Sequence, residues 1–183
     1  MTRTRLSALL LTLLWALAHA AGAADSKFAA TQYQLAAGDV IKISVFGEPD
    51  LSIDTVRLND AAAFSYPFIG EISARGLTAS QLEALITRRL KGDYLVDPRV
   101  SVSILEYREF FISGEVKEPG GYPYQPGLTL RSAIALAGGL TERASRRGMT
   151  IIRDGDTSRQ PEVAGMDTAV MPGDIITIDQ SFF

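Results

Sequence analysis

The chain has 183 residues, with 18 Lys and Arg against 21 Asp and Glu, and a formal net charge of −3. It contains one His and no Cys, which excludes a disulfide framework. No basic run of the kind that attracts nucleic acid or anionic lipid is present, so we expect neither as a partner.

The N-terminus has the layout of a cleavable secretory signal. Arg3 and Arg5 give it a positive start, an apolar stretch follows over 6–17, and alanine-rich A-x-A patterns come next. A permanent membrane anchor is the alternative, but it would need about 20 apolar residues. We predict a signal peptide over 1–23 and a flexible lead over 24–32.

Cleavage after residue 23 would remove most of the catalytic side-chain chemistry. It leaves 183 − 23 = 160 residues without His, Trp or Cys, and 16 basic residues against 21 acidic ones. A Ser-His-Asp triad, a Cys nucleophile and an ordinary zinc site are therefore excluded. Carboxylates, Lys, Tyr and Ser remain, and these can form a glycosidase carboxylate pair or a Ser-Lys site. We expect no catalytic, cofactor-binding or metal-binding residues.

The first half of the mature chain combines strand patterns with one helix. Alternating apolar and polar residues predict strands at 41–45, 55–58, 63–66, 70–72 and 100–104. The clearest helix runs over 78–91, because Thr78 and Gln81 form a capping box and Gly92 supplies a stop. A helix laid across strands of this kind predicts a small α+β domain.

A second unit starts near Phe110. Strand patterns occur at 110–113, 150–153 and 175–178, and Thr129 caps a short helix whose inward residues are Leu130, Ala133, Ile134 and Ala137. Gly138 and Gly139 end that helix. Pro119-Gly120-Gly121 predicts a turn, and Asp154-Gly155 predicts a hairpin-type turn. This unit is again α+β.

One short motif occurs twice. Residues 37–43, Ala-Gly-Asp-Val-Ile-Lys-Ile, resemble residues 172–178, Pro-Gly-Asp-Ile-Ile-Thr-Ile. In each copy a Gly permits a tight turn and an Asp can bond the local backbone before an alternating strand. We interpret the pair as a shared turn-to-strand device rather than a duplication, since the helical segments do not match.

The remaining motifs carry little chemistry of their own. The Gly-rich pieces lack the spacing that cradles phosphate, and the carboxylates in the turns predict solvated surface. Tyr122 and Tyr124 are two residues apart and would face the same way in an extended segment. They are candidates for polymer contact or for an interface, and we favour a core or interface role because amphipathic rings suit half-buried positions.

Taken in order, the motifs resemble the Wza-type (outer-membrane) polysaccharide export protein family. The resemblance divides the mature chain into a polysaccharide-export N-terminal domain over 33–106 and a β-grasp-like SLBB domain over 107–183. The residues that carry the first part are Gly38, Asp39, Pro67, Gly70, Gly76, Asp97 and Pro98. Those that carry the second are Gly114, Pro119, Gly120, Gly138, Gly139, Gly173 and Asp174.

This resemblance implies a non-catalytic conduit for capsule, exopolysaccharide or biofilm polymer. The expected partners are the polysaccharide itself, further copies of the chain in a ring, and an inner-membrane protein for polymerisation or chain-length control. The expected location is the periplasm, in association with the outer membrane.

The sequence departs from the larger family members in several places. It has no signal-peptide Cys, which predicts no lipid anchor, and it carries one SLBB-like unit. Its last residue, Phe183, closely follows the final strand, so we expect no transmembrane helix after the signal and a separate outer-membrane partner. Asn59 to Ala63 replaces the usual Asp-Gly turn. A soluble carbohydrate-binding module or adaptor and a carboxylate-based glycan hydrolase or lyase remain as alternatives.

Overall fold

The computed structural model describes residues 33–181, except for the side chain of Arg146. The predicted signal peptide (1–23) and lead (24–32) lie outside the described residues. Within 33–181, no helix has both the length and the apolar character needed to cross a membrane.

The first half of the described chain contains five strands and one α-helix. In chain order they are β1 (Val40–Val45), β2 (Ile53–Arg57), β3 (Ala63–Tyr66), β4 (Gly70–Ser73), α1 (Ala79–Leu90) and β5 (Val100–Glu106). Strand β1 lies between β2 and β5 in an antiparallel sheet, and β3 pairs with β4 as a separate hairpin. A single 3-10 turn at Pro49–Leu51 connects β1 to β2.

The predicted capping box of the helix is present. The Thr78 hydroxyl accepts a hydrogen bond from the Gln81 amide, and the Gln81 side chain accepts one from the Thr78 amide. Helix α1 packs along β5, with Leu82, Ile86 and Leu90 fully buried. The helix therefore begins where the capping residues predict.

The second half forms one mixed sheet with a helix against it. Its elements are β6 (Phe110–Gly114), β7 (Gly120–Tyr122), α2 (Leu130–Leu136), β8 (Ala144–Ile152), β9 (Glu162–Val163) and β10 (Ile175–Gln180). The strand order is β7-β6-β10-β8-β9, and the pair β6–β10 is parallel while the others are antiparallel. The parallel pair joins the first and the last strand of this half. Both halves are α+β, as predicted.

Helix α2 covers the apolar face of the second sheet. Thr129 caps it by accepting a hydrogen bond from the Ser132 amide. The four predicted inward residues, Leu130, Ala133, Ile134 and Ala137, are all buried in one cluster with side chains of β6, β8 and β10. Gly138 and Gly139 follow with φ of +76° and +93°, which is the left-handed conformation predicted for the end of this helix.

Two turn predictions in the second half are wrong in detail. Gly120 and Gly121 do not form a turn, because they lie in β7 and pair with Ile112 and Phe111. A Cβ at Gly121 would lie 2.6 Å from Glu109 Oε2 and 3.0 Å from Phe111 Cε1, so a larger residue there would displace these two side chains. Asp154-Gly155 does turn, but the connection between β8 and β9 spans residues 153–161 and is not a tight hairpin.

Candidate functional site

The turn before β1 holds a buried carboxylate. Gly38 has a φ of +91°, which is accessible to Gly at little cost, and Asp39 behind it is fully buried. Asp39 Oδ2 accepts a hydrogen bond of 2.9 Å from the Ala36 amide, and Oδ1 accepts one of 2.9 Å from the Arg108 amide. The Asp39 carboxylate therefore ties its own turn to the segment that follows β5.

The turn before β10 has the same construction. Gly173 has a φ of +84°, and Asp174 is 1% exposed. Asp174 Oδ2 accepts hydrogen bonds of 2.7 Å from the Met171 amide and 2.7 Å from the Arg153 guanidinium. In both turns the aspartate accepts the amide three residues before it and pairs with an arginine, so the sequence repeat corresponds to a shared turn-to-strand device.

Arg108 joins the two turns. Its guanidinium lies 3.6 Å from Asp39 Oδ2 and 2.5 Å from Asp154 Oδ2. The amide of Asp154 in turn donates a hydrogen bond of 3.3 Å to Asp174 Oδ1. We call the set Asp39, Arg108, Asp154, Asp174 and Arg153 the charged junction.

The charged junction satisfies every group that it buries. An unpaired buried carboxylate would cost several kcal/mol of folding free energy, roughly the penalty of desolvating an ion. Among residues 33–181, no buried side-chain nitrogen or oxygen lacks a hydrogen-bond partner. Gly173 fits the same packing, because a Cβ there would lie 2.7 Å from Asp154 Cβ and 2.8 Å from Arg108 Nε. The junction therefore fixes the end of β5 against the start of β10.

A groove of about 800 Å³ lies over the charged junction. That volume is within the range of about 300–1,000 Å³ usual for small-molecule sites. Its walls from the first half of the chain and the connection are Ala37, Gly38, Arg57, Leu105, Glu106, Tyr107, Arg108 and Glu109. Its walls from the second half are Phe111, Pro123, Tyr124, Gln125, Pro126, Asp154 and Gly173.

Two tyrosines meet edge to face in the groove. The rings of Tyr107 and Tyr124 have centroids 5.3 Å apart at an angle of 76°. Burial raises the pKa of the Tyr107 hydroxyl, and the negative charge of Asp39 raises it further. Burial also raises the pKa of Tyr124, partly offset by a hydrogen bond to the Gly127 backbone. Both phenols are therefore neutral hydrogen-bonding groups at ordinary pH.

The two tyrosines predicted from sequence have different surroundings. Tyr124 lines the groove, whereas Tyr122 packs its ring on Phe110 with centroids 5.9 Å apart and is not part of the groove wall. The Tyr122 hydroxyl donates a hydrogen bond of 2.5 Å to the Glu118 carbonyl. Both rings pack against the core of the second half. Their role in polymer contact stays a prediction.

The other family-motif residues do not converge on this groove. Pro67 and Gly70 lie at the tip of the β3–β4 hairpin, Gly76 lies just before α1, and Asp97 and Pro98 precede β5. In the second half, Gly114 ends β6, Pro119 and Gly120 lie at the start of β7, and Gly138 and Gly139 follow α2. Of the motif residues, Gly38 and Gly173 line the groove, and Asp39 and Asp174 form its buried support.

Sequence reasoning missed Arg57, Tyr107, Arg108, Glu109 and Phe111. Their position in the sequence could have indicated them, because residues 107–109 lie at the predicted domain boundary and binding sites often form between two domains. The turn carboxylates do not all behave as predicted. Asp156 binds the neighbouring Ser158, which lowers the Asp156 pKa, but Asp154 pairs with Arg108 in the charged junction and Glu115 accepts a part-buried hydrogen bond from Thr141. Residues 33–181 contain no cluster of three His, Cys, Asp or Glu suited to a metal ion.

Two family models match consecutive parts of the chain. The model for polysaccharide biosynthesis/export protein matches residues 28–105, and the SLBB domain model matches residues 110–162. The second match ends before β10, although β10 lies in the middle of the same sheet as β6 and β8. The exact domain boundaries therefore stay a prediction.

Curated relatives have names that concern the same process. The chain is 35% identical over 156 residues to the exopolysaccharide production protein ExoF of Rhizobium meliloti (strain 1021), covering 79% of this chain and 36% of ExoF. It is 28% identical over 136 residues to the EPS I polysaccharide export outer membrane protein EpsA of Ralstonia solanacearum, covering 61% of this chain and 36% of EpsA. The polysialic acid transport protein KpsD of Escherichia coli is 28% identical over 117 residues, covering 62% of this chain and 21% of KpsD.

The chain thus spans little more than a third of the length of the first of these relatives. The consecutive order of the two matched models agrees with the order of the two sheets in the structure. The chain belongs to the polysaccharide biosynthesis/export protein family and carries one SLBB domain.

Proposed function

We propose that this protein is a non-catalytic component of a machine that exports polysaccharide across a bacterial envelope. The observation that carries the proposal is the export domain followed directly by an SLBB domain, joined by the charged junction. The names of ExoF, EpsA and KpsD, which concern production, export or transport of polysaccharide, support the same process.

The charged junction suits a structural part of a conduit. A wall around a moving polymer has to keep its shape, and buried charge pairs in a fixed geometry resist relative movement of the segments that they join. Arg108 contacts carboxylates from both halves of the chain at once. In this proposal the junction keeps the two domains in one orientation while polymer passes.

We further propose that copies of the chain assemble into a ring. Phe68, which is 70% exposed, and Tyr94, which is 45% exposed, lie together on the surface with ring centroids 6.2 Å apart. Exposed apolar side chains in a cluster commonly mark a protein interface, and head-to-tail contacts that close produce rings. The proposed setting is the periplasm, between an inner-membrane polymerisation or chain-length partner and a separate outer-membrane protein.

A soluble carbohydrate-binding module or adaptor is the second candidate. The groove over the junction favours it, because the groove is lined by two tyrosines and a phenylalanine in one concave surface. Such a module would act as a monomer. The two candidates therefore differ in oligomeric state, which analytical ultracentrifugation of the purified protein over a range of concentrations measures directly.

Gene deletion tests the proposed function. We expect a deletion strain to retain the glycosyltransferases but to lose polymer from the cell surface, and a plasmid copy of the gene to restore it. Surface polymer would be measured with a lectin or antibody, and intracellular polymer by fractionation. Unchanged surface polymer in the deletion strain would contradict an export role, and polymer cleavage or synthesis by the purified protein would contradict a non-catalytic one.

A further inference from the structure

The charge of the groove restricts the glycans that it suits. Its wall carries two guanidinium groups, from Arg57 and Arg108, and three carboxylates, from Glu106, Glu109 and Asp154, which gives 2 − 3 = −1. Arg57 pairs with Glu106 at 3.0 Å, and Arg108 pairs with Asp154 at 2.5 Å. Both cations therefore already have an anionic neighbour.

A buried charge under the groove adds to this bias. Asp39 lies beneath the wall and shares Arg108 with Asp154, so one guanidinium faces two carboxylates. A uronate or other anionic sugar entering the groove would meet a net negative wall and would have to compete with these existing pairs. An uncharged sugar is not repelled by the negative charge of the wall.

The apolar part of the wall suits the face of a sugar ring. Phe111 is 49% exposed on the outer side of β6, and opposite it stands Gly121, where a Cβ would lie 3.0 Å from Phe111 Cε1. The ring of Phe111 therefore lies over bare backbone with its other side open. Tyr107 and Tyr124 supply further ring surface, and Glu109 and Gln125 supply hydrogen-bonding groups for hydroxyls.

From these observations we infer that the groove is a subsite for an uncharged stretch of glycan, with Phe111 as the stacking surface. The inference rests on the proposed function for its biological meaning, since it names the class of polymer that the export component contacts. It adds a specificity: the site accepts neutral sugars and disfavours acidic ones. Phe111 and Glu109 are its binding residues.

The test measures binding of two probes to the purified protein by calorimetry at low salt, where charge effects are screened least. One probe is a neutral glucose oligosaccharide, and the other is an oligogalacturonate of equal length. We expect the neutral probe to bind about tenfold more tightly or better, a difference of the size that one modest interaction produces. Tighter binding of the galacturonate, or no binding of the neutral probe, would overturn the inference.

Variants assign the binding to the groove. Phe111→Ala should weaken binding of the neutral probe about tenfold, and Phe111→Tyr should retain it, because the ring is kept. Val163→Ala is the matched control, since Val163 is 83% exposed on the same sheet but outside the groove wall. Equal affinity of Phe111→Ala and the wild type would overturn the inference.

A charge variant tests the specificity without altering the stacking surface. Glu109→Gln makes the groove wall neutral and should reduce the preference for the neutral probe over the galacturonate by about threefold or more, as expected for removal of one exposed charge. An unchanged preference would overturn the charge argument.

Failure of this inference is separable from failure of the proposed function. If neutral glycans do not bind while the deletion strain still loses surface polymer, the subsite is wrong and the export role stands. If neutral glycans bind in the groove while the deletion strain exports normally, the subsite stands and the export role is wrong.

Discussion

Asp39 and Asp174 are the fully buried carboxylates of residues 33–181, and each is held by a backbone amide three residues before it. The same short motif therefore produces the same turn in both halves of the described chain. The two turns differ in the arginine that pairs with the aspartate, which is Arg108 for Asp39 and Arg153 for Asp174. The aspartate therefore bonds an amide close by in the sequence, whereas the arginine that pairs with it comes from a distant segment of the chain.

Replacing Asp39 with Ala should destabilise the protein strongly. The change removes an acceptor from two amides and an anion from Arg108, and breaking a partly buried pair in this way costs about 3 kcal/mol. Urea unfolding followed by circular dichroism measures the loss. Asp54→Ala is the control, because it breaks only an exposed pair with Lys42 and should change stability little. Equal effects of the two changes would contradict the role given to Asp39.

Tyr66 should make stability depend on alkaline pH. Burial raises the pKa of Tyr66 to about 12, above the value of about 10 in an unfolded chain. Because the folded-state pKa is the higher one, the stabilisation is complete below about pH 10 and is lost as the pH rises towards about 12.

The measurement is the free energy of unfolding at several pH values for the wild type and Tyr66→Phe. The variant also loses the hydrogen bond of 2.6 Å from the Tyr66 hydroxyl to the Leu51 carbonyl, so its stability is lower throughout. The readout is the slope: between about pH 10 and pH 12 the variant should lose less stability than the wild type. Parallel curves would contradict the prediction.

The elements differ in how far their own sequence determines them. Both helices could be predicted with their N-terminal caps, because Thr78 and Thr129 act on amides within the next turn. Strands β7 and β9 could not, since they have three and two residues and owe their extended state to pairing with β6 and β8. Gly120 and Gly121 in β7 indicate a turn by composition, and their pairing with β6 overrides that preference.

The pairing of β6 with β10 should be sensitive to a single methyl group. Gly114 has a φ of +84°, and a Cβ there would overlap the Ile178 carbonyl of β10. Gly155 has the same φ of +84° but open space around it. Gly155→Ala should therefore cost about 1–2 kcal/mol from backbone strain alone.

Gly114→Ala should cost clearly more than Gly155→Ala, because it adds the overlap to the same strain. Thermal unfolding of the two variants beside the wild type separates the contributions. Equal losses from the two changes would show that β6 and β10 adjust at no cost, contrary to this account.

At the scale of the whole molecule, the contacts that form the groove could not be predicted from the sequence. Arg108 and Asp154 are 46 positions apart, and Arg108 and Asp39 are 69 apart. No local period links such residues, and they meet only because β10 and the end of β5 are brought side by side. The family resemblance predicted two domains in order, but it did not predict what joins them.

Breaking the junction should uncouple the two domains. Asp154→Ala removes the ion pair with Arg108 and should lower the midpoint of thermal unfolding by about 3 °C, as a loss of roughly 1 kcal/mol does in a chain of this size. The calorimetric transition should also broaden or split. Asp167→Ala is the control, because it breaks an exposed pair with Arg131 within one domain. A single unchanged transition in Asp154→Ala would contradict the coupling.

The central position of β10 in its sheet has a consequence for the folding of the protein. Strand β10 lies between β6 and β8, so neither of those earlier strands has both of its neighbours until residues 175–180 join the sheet. Until then the incomplete sheet exposes two unpaired strand edges and the apolar side chains that later pack against α2. Exposed edges and apolar surface of this kind promote aggregation. The sheet of the second half therefore closes only when β10 joins it, and we expect this half to fold late and in one cooperative step.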